Sequence, residues 1–461
     1  MLLILSIFLL KSKHFNYKTF MNSKIIHFFK WFISLNSPIR IFYHYLRWVI
    51  ASLIYWNPSK DMIVIWVTWT KWKTTTTNII ASGLKNHWKK VFMFSTVNYM
   101  IWDELSDNNL KMTSPSPFVL QKLLKKARSA GCEYAVIETS SHSIYYNRNF
   151  WIDYDVVVFT NLSQDHLDLH KTMDEYAHVK YRLFENLVKY KRKPWVKKIS
   201  VVNLDSNYSE LFLQAIADNI YTYWLGTNSQ IKAQNISYNK DYTNFEIKLP
   251  SNTLEVKTKL KWEFNIYNIL ASVCVLISQK VPLESIINTI ESTNWIPGRL
   301  EEVNNNKWFN IFVDYAHTEE SLKSVLETLK KMQWIWRIIT IFWATWDRDK
   351  TKRPKMWNVV NNLSDVIILT DDDTYSENSL SIINDVAKWI KRKEWENFWI
   401  IPDRTDAIRT WLIMAKENDV ILIAGKWAET VQVTNNWPIA WSDIEVTKTI
   451  LREMDDNELA I

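Results

Sequence analysis

Glycine is scarce in this chain: 461 residues contain only 5, where average usage of roughly 7% would give about 32. A chain so poor in glycine lacks the residue that most readily takes positive φ and lets backbone approach a ligand closely. Cysteine is nearly absent too. Cys132 and Cys274 match no metal-ligand spacing, which excludes a disulfide scaffold or a zinc site and implies a reducing, cytoplasmic setting. No block of one charge occurs: 56 basic and 49 acidic residues leave a net charge of +7 spread along the whole sequence. Without a basic tract interleaved with aromatics, no nucleic-acid partner is expected. Long hydrophobic runs are also missing. Residues 1–10 are almost wholly apolar and are followed by Lys11 and Lys13, but ten residues are too few to span a bilayer. The signal-peptide order of charge, apolar run and cleavage site is not present. A start at Met21 and a peripheral membrane contact both account for the segment, and no stable membrane insertion is expected.

Tryptophan is in excess, with 26 residues, close in size to the glycine deficit. Its positions are turn positions: Asn294-Trp295, Asn436-Trp437, Thr345-Trp346-Asp347 and Lys71-Trp72-Lys73 are polar contexts where a residue free to adopt positive φ is expected. We read this as glycine written as tryptophan, as happens when a lineage that decodes UGA as glycine is translated with a table that decodes it as tryptophan. Intact Trp69 and Trp72 in peptides of the native protein would end that reading in favour of a truly Trp-rich protein. Trp31, Trp48, Trp399 and Trp441 lie in apolar or aromatic contexts and fit as genuine tryptophans.

The length suits two or three domains. With 47% apolar and 23% charged residues, the composition is that of a soluble globular protein. Short apolar runs at 62–67, 135–138, 156–160 and 200–203 alternate with helical periodicity at 76–85, 118–130 and 173–187. Alternation of this kind predicts an α/β fold, a parallel sheet covered by helices on both faces. A second series follows Arg299, with strands at 311–314, 338–342, 366–370 and 420–424 and a helix at 321–332. The two domains meet near Pro297-Gly298-Arg299, giving a helical leader (1–60), a central domain (61–298) and a C-terminal α/β domain (299–461).

One segment carries chemistry on its own. Ile65-Trp66-Val67-Thr68-Trp69-Thr70-Lys71-Trp72-Lys73-Thr74-Thr75 follows a strand and opens a helix. With glycine at 66, 69 and 72 it reads I-G-V-T-G-T-K-G-K-T-T, a phosphate loop. In such a loop backbone N–H groups and a helix N-terminus cradle the phosphates, here along Thr68, Trp69, Thr70, Lys71, Trp72, Lys73, Thr74 and Thr75. Lys73 would reach the terminal phosphates and the Thr74 hydroxyl would bind Mg²⁺. Indoles at 69 and 72 block that approach.

The repaired loop resembles that of the Mur ligase family, and further segments match: Glu138-Thr139-Ser140-Ser141-His142; Phe159-Thr160-Asn161-Leu162-Ser163-Gln164-Asp165-His166; a helix with Lys180; Trp262-Glu263-Phe264-Asn265-Ile266-Tyr267-Asn268; Asp314-Tyr315-Ala316-His317-Thr318; Asp347-Arg348-Asp349; and Gly425-Lys426-Trp427-Ala428-Glu429. The last three look like the branch of the family that adds the third amino acid of the muramoyl peptide. The resemblance implies a P-loop ATPase-like central domain and a Rossmann-like C-terminal domain that binds the amino acid. It implies an ATP-dependent ligase joining an amino acid, a diamino acid by expectation, to UDP-N-acetylmuramoyl-L-alanyl-D-glutamate through an acyl phosphate. Two Mg²⁺ ions are expected, one on Thr74 and a second on Glu138 and His166. Lys180 matches the lysine that the family carbamylates. Asn268 is expected on the adenine, with Arg299 and Asp314 on the phosphate and ribose. Thr113, Ser114, Ser140 and Arg148 are expected on the UDP-muramoyl-dipeptide, and Arg348, Gly425 and Glu429 on the incoming amino acid.

The chain also departs from the pattern. Where diaminopimelate-adding members carry D-N-P-R it has Asp372-Asp373-Thr374-Tyr375. The arginine that forks onto a distal carboxylate is missing, so Asp372 or Asp373 would face a distal ammonium, as on lysine. Too few residues precede the first strand for the family's uridine-binding domain, so uridine recognition is expected to be reduced, rebuilt from the leader or supplied elsewhere. A folylpolyglutamate synthetase-like ligase is the alternative within the same chemistry. A non-catalytic homologue is the alternative if the tryptophans are real.

Overall fold

The computed structural model describes residues 37–459 except 69–72, 109–112, 149–150, 163–166, 190–191, 227–228, 240–241, 294–299, 315, 317–318, 331–334, 344–351, 371–391, 393–396, 427–430 and 434–437. The chain enters on helix α1 (Pro38–Tyr55) and then builds a sheet from β1 (Ile63–Thr68), β2 (Val91–Phe94), β3 (Asn98–Ile101), β4 (Glu104–Asp107), β5 (Tyr134–Thr139), β6 (Val156–Phe159), β7 (Ile199–Asn203), β8 (Asn219–Trp224), β9 (Ile231–Tyr238), β10 (Thr243–Lys248) and β11 (Thr253–Thr258). Its order is β11-β10-β9-β8-β7-β6-β1-β5-β2-β3-β4. The covering helices used below are α2 (Lys73–Asn86), α3 (Pro117–Ser129), α4 (Ser141–Tyr145), α5 (Met173–Lys189), α6 (Glu263–Ser278) and α7 (Leu283–Ser292).

The centre of this sheet is parallel, β2-β5-β1-β6-β7-β8-β9, as the alternation of runs predicts. Antiparallel strands extend it on both flanks, β3 and β4 on one side and β10 and β11 on the other. Loops of two to four residues join these neighbours, as antiparallel pairing allows. The burial pattern tells the same story, since β11 alternates exposed and buried residues while β1 and β5 are buried almost throughout, as strands covered on both faces must be.

Residues of β1 point alternately to two cores. Ile65 and Val67 pack with Ile79 and Ile80 of α2 and Ile266 and Ile269 of α6. Val64 and Trp66 pack with Leu120 and Leu124 of α3, Leu183 of α5 and Trp48 of α1. Helix α3 starts where its sequence says it should: Pro117 occupies the first turn and the Ser116 hydroxyl accepts from the Val119 amide.

Asp155 ties the lower end of this sheet together. Its carboxylate is fully buried, accepts from the Val64 amide at 3.0 Å, and pairs with Lys193 at 2.5 Å and Lys198 at 3.3 Å. Burial holds the Lys193 ammonium below the usual lysine range, opposed by the Asp155 charge.

A second sheet contains β12 (Glu301–Glu302), β13 (Asn310–Asp314), β14 (Arg337–Phe342), β15 (Val366–Leu369), β16 (Phe398–Ile400) and β17 (Asp419–Ala424), in the order β12-β13-β17-β14-β15-β16. All pairings are parallel except that of β12. Helix α8 (Glu319–Lys330) covers one face through Leu322, Val325 and Leu326. Helix α9 (Arg404–Met414) covers the other through Ala407, Ile408 and Leu412. Each strand and helix expected from the periodicity is found with its ends displaced by a few residues. Strands β2 to β4, β8 to β12 and β16 and helices α4, α6, α7 and α9 are not anticipated by the periodicity.

Tryptophan takes backbone that disfavours it. Trp56, Trp88, Trp102 and Trp262 have φ of 60°, 59°, 57° and 84°. Left-handed backbone costs a residue with a Cβ about 1–2 kcal/mol. Asparagine, which fills several of the other such positions, tolerates it through local hydrogen bonds, whereas an indole has no such compensation. Trp88 does not bury its ring either, being 92% exposed.

Two measurements follow. Replacing Trp88 by Gly should raise the unfolding free energy by about 1 kcal/mol, read from the urea midpoint. Trp195→Gly, also exposed but not at positive φ, should give no gain. Asp155→Asn, which leaves two buried ammonium groups without a counter-charge, should cost about 3–5 kcal/mol in the same experiment.

Candidate active site

Three neighbouring strands of the first sheet stop at one level. Thr68 at the end of β1 is in register with Thr139 of β5 and with Phe159 of β6, and Val67 with Glu138. Helix α2 begins at Lys73 directly beyond β1, so strand, short connection and helix N-terminus stand in the order a phosphate loop requires. Trp69, Thr70, Lys71 and Trp72 lie outside the described residues.

Glu138 is the focus of this edge. It is buried, yet four groups address it. The Thr74 hydroxyl donates to Oε2 at 3.1 Å, the Thr96 amide donates to Oε2 at 2.8 Å, and the Lys73 ammonium stands 3.9 Å from Oε1. The Thr96 hydroxyl is 2.8 Å from Oε1 and 2.9 Å from the Thr113 hydroxyl. Having one proton, it donates to the carboxylate and accepts from Thr113. This many donors give the buried carboxylate a fixed orientation. Thr96 follows β2 and nothing in its local sequence marks it; only the pairing of β2 with β5 brings it here.

The structure also joins three of the residues expected on the substrate. The Ser114 hydroxyl lies 3.2 Å from that of Ser140 and accepts from the Ser140 amide at 3.3 Å. Ser140 in turn caps α4 by accepting from the Ser143 amide. Thr113, Ser114, Ser140 and Glu138 therefore form one continuous polar ledge, and Arg148 follows α4 at its far end, its amide bonded to the Ser143 carbonyl.

The other residues fall in different surroundings. Asn268 is fully buried against α2, accepting from the Thr76 hydroxyl at 3.2 Å and donating to Asn265 at 3.0 Å, so its amide ties α6 to the phosphate-loop helix. Lys180 is buried on α5, its ammonium 4.7 Å over the centre of the Tyr176 ring, which stacks on His170. In the second sheet Asp314 accepts from the Leu300 amide at 2.7 Å, and its carbonyl accepts from the Gly425 amide at 3.0 Å. Gly425, at φ +101°, leaves no room for a side chain, because a Cβ there would come 1.8 Å from the Trp343 indole nitrogen. His166, Arg299, Arg348, Asp372, Asp373 and Glu429 lie outside the described residues.

The unsatisfied atoms of the site fit a nucleotide and a metal ion. Among the described residues, the hydroxyls of Thr68, Thr139 and Thr160 are buried with no hydrogen-bond partner. Each is at or beside a strand end, and leaving such a group unpaired costs about 1–3 kcal/mol. A polar occupant at the strand ends removes that cost. Thr74 and Glu138 offer a Mg²⁺ ion two oxygen ligands, the donor type that ion selects. No group of three His, Cys, Asp or Glu residues forms a metal site among the described residues, so Mg²⁺ here would keep waters or phosphate oxygens in its shell.

Comparison with known proteins agrees with this geometry. Residues 67–276 match the Mur ligase middle domain, and residues 298–427 the Mur ligase glutamate ligase domain. The chain is 36% identical over 413 residues to the UDP-N-acetylmuramoyl-L-alanyl-D-glutamate–2,6-diaminopimelate ligase of Bacillus cereus, covering 89% of this chain and 82% of that one. A solved ligase of the same name superposes with a TM-score of 0.62 at 26% identity, over 86% of this chain and 79% of the other. The folylpolyglutamate synthase of Mycobacterium tuberculosis superposes with a TM-score of 0.67 at 13% identity, over 83% and 92% of the two chains, a likeness of fold alone. On the matched domains, the extended identity and the strand-end site around Glu138, the chain belongs to the Mur ligase family of ATP-dependent peptide synthetases.

Proposed function

We propose that the protein joins a diamino acid to the D-glutamyl carboxylate of UDP-N-acetylmuramoyl-L-alanyl-D-glutamate with hydrolysis of ATP to ADP and phosphate. The observation that carries this reading is Glu138, buried and held by Thr74, Thr96 and Lys73 where the phosphate-loop helix meets the ends of β1 and β5. The substrates are those in the names of the relatives.

The reaction needs a carboxylate made electrophilic. A carboxylate oxygen takes the γ-phosphoryl group of ATP to give an acyl phosphate, and the amine then attacks the acyl carbon, expelling phosphate and losing a proton. Such chemistry depends mostly on positioning and charge neutralisation. Lys73 supplies positive charge to the terminal phosphate. Thr74 would hold one Mg²⁺ ion and Glu138 with His166 a second, and these would supply positive charge to the transferred phosphoryl group. Thr113, Ser114 and Ser140 orient the peptide end of the substrate, with Arg148 beyond them. Asn268 holds α2 in place from behind while Arg299 and Asp314 meet the nucleotide from the second domain. In that domain Arg348, Gly425 and Glu429 receive the amino acid, Glu429 pairing with its ammonium. Lys180, as a carbamate formed by attack of its amine on CO2 with loss of a proton, would bring an anionic oxygen to the same centre.

The far end of the diamino acid is read by Asp372 and Asp373. Two carboxylates with no arginine beside them in the sequence suit the distal ammonium that lysine and diaminopimelate share and repel the distal carboxylate that only diaminopimelate carries. Lysine is therefore the preferred substrate, despite the names of the relatives. Backbone amides at 69 and 72 must approach the phosphates, so glycine is the functional residue at both positions.

Phosphate release from ATP, assayed with the muramoyl dipeptide and glycine at 69 and 72, should depend on the added diamino acid and be faster with lysine than with diaminopimelate. Lys73→Ala should lower it by about 100-fold or more. Turnover with folate and glutamate, and none with any diamino acid, would move the protein to the folylpolyglutamate synthases. Titration calorimetry that finds no heat with ATP and Mg²⁺ would make it a non-catalytic homologue.

A further inference from the structure

The functional reading leaves helix α1 unused, yet α1 brings two arginines to a third. Arg40 and Arg148 share one aromatic ring, their guanidinium carbons 5.8 Å and 5.2 Å from the centre of Tyr146. Arg47, two turns along α1, lies over the rings of Tyr43 and Phe118. Between them His44 is buried, packed on Tyr146 with ring centres 4.8 Å apart, its Nε2 3.4 Å from an Arg148 terminal nitrogen. Three guanidiniums are thus gathered on one aromatic floor.

Like charges brought together repel, and burial adds to the cost. Burial, with the charges of Arg47 and Arg40 behind it, holds the Arg148 guanidinium down to about 10, opposed only by Tyr146. Among the described residues, the Arg148 Nε is buried with no hydrogen-bond partner. The fork of a guanidinium matches the oxygens of phosphate or carboxylate. The cluster also adjoins the ledge: Arg148 follows the short helix α4 that Ser140 caps, its amide bonded to the Ser143 carbonyl.

We propose that α1 completes an anion subsite, in which Arg40 and Arg47 join Arg148 to bind an acidic group of the substrate. That group is either the diphosphate of the nucleotide-linked sugar or a carboxylate of its peptide. The arginine cluster stands on its own geometry; only the choice of these two occupants rests on the function proposed above. Tyr146 and Phe118 keep the guanidiniums flat and separated, so the fork is preorganised before the anion arrives.

The test is calorimetric titration of the full-length protein with UDP and, separately, with L-alanyl-D-glutamate, under saturating MgADP so that the phosphate loop is filled. Arg40→Gln and Arg47→Gln, each shown to be folded by its melting transition, should weaken one of these probes by about tenfold and flatten the salt dependence of its binding. Loss confined to UDP identifies the diphosphate as occupant, and loss confined to the dipeptide identifies the carboxylate. Should a glutamine variant fail to fold, Arg40→Lys keeps the charge, removes the fork and should show a smaller loss of the same sign. Unchanged affinity for both probes in folded variants overturns the inference. Absence of ligase turnover alongside arginine-dependent binding would instead overturn the proposed function and leave the subsite standing.

Discussion

The site depends on the register between β1 and β5. Because Val67 faces Glu138 and Thr68 faces Thr139, the carboxylate arrives beside the first turn of α2, where Thr74 and Lys73 reach it. A slip of one residue would turn Glu138 to the opposite face of the sheet and put an apolar side chain under the phosphate loop. Register in a parallel sheet is set by the buried pattern on both faces, so the paired cores on either side of β1 locate Glu138 as surely as any contact at the site. Asp155 reinforces this from the other end, accepting from the amide of Val64 and fixing where β1 begins.

Much of this was legible in the sequence, for reasons that differ by element. The central strands are buried on both faces and therefore read as unbroken apolar runs, and the helices between them show the 3.6-residue period. Thr74 is legible because a phosphate loop specifies residue types at fixed spacing, whereas Glu138 is legible only through the resemblance of its segment to the Mur ligase family. Thr96 is not, because a lone threonine after a strand carries no local signal and reaches Glu138 only through strand pairing. The antiparallel flanks were missed for a related reason: their alternating faces are half polar and look like loop sequence unless paired. Helix α6 was recognised as a motif but not as a helix, since it is apolar nearly all round and has no amphipathic stripe to detect.

The glycine deficit meets the fold at the level of backbone conformation. Four tryptophans occupy left-handed φ, and three of them, Trp56, Trp88 and Trp102, hold their rings at the surface, where the indole gains little from burial to offset the strain. Trp72, Trp295, Trp346 and Trp437, whose sequence contexts point to turns, lie outside the described residues; the four described positions at positive φ have the backbone that favours glycine. Trp66 behaves differently. It sits inside β1 with ordinary strand geometry and fills the second core against Tyr154, although its indole nitrogen has no hydrogen-bond partner. Steric tolerance at 66 and intolerance at 88 show that a single residue type is being asked to do several unrelated jobs.

That spread of environments is itself an argument about cause. Selection for tryptophan acts through what the indole does, such as stacking, filling a core or donating its N–H, and it therefore concentrates the residue in a few kinds of site. Here tryptophan is found at a helix C-cap, at turn tips, at a helix entry with φ of 84°, inside a buried strand and pressed against Gly425. Those at positive φ carry a backbone demand that the smallest residue meets, while Trp66 fills a core and Trp343 packs over a glycine, so no single use of the indole unites them. A substitution made at the level of decoding follows the codon and ignores the side chain, so it reproduces such a pattern, which selection on the indole would not.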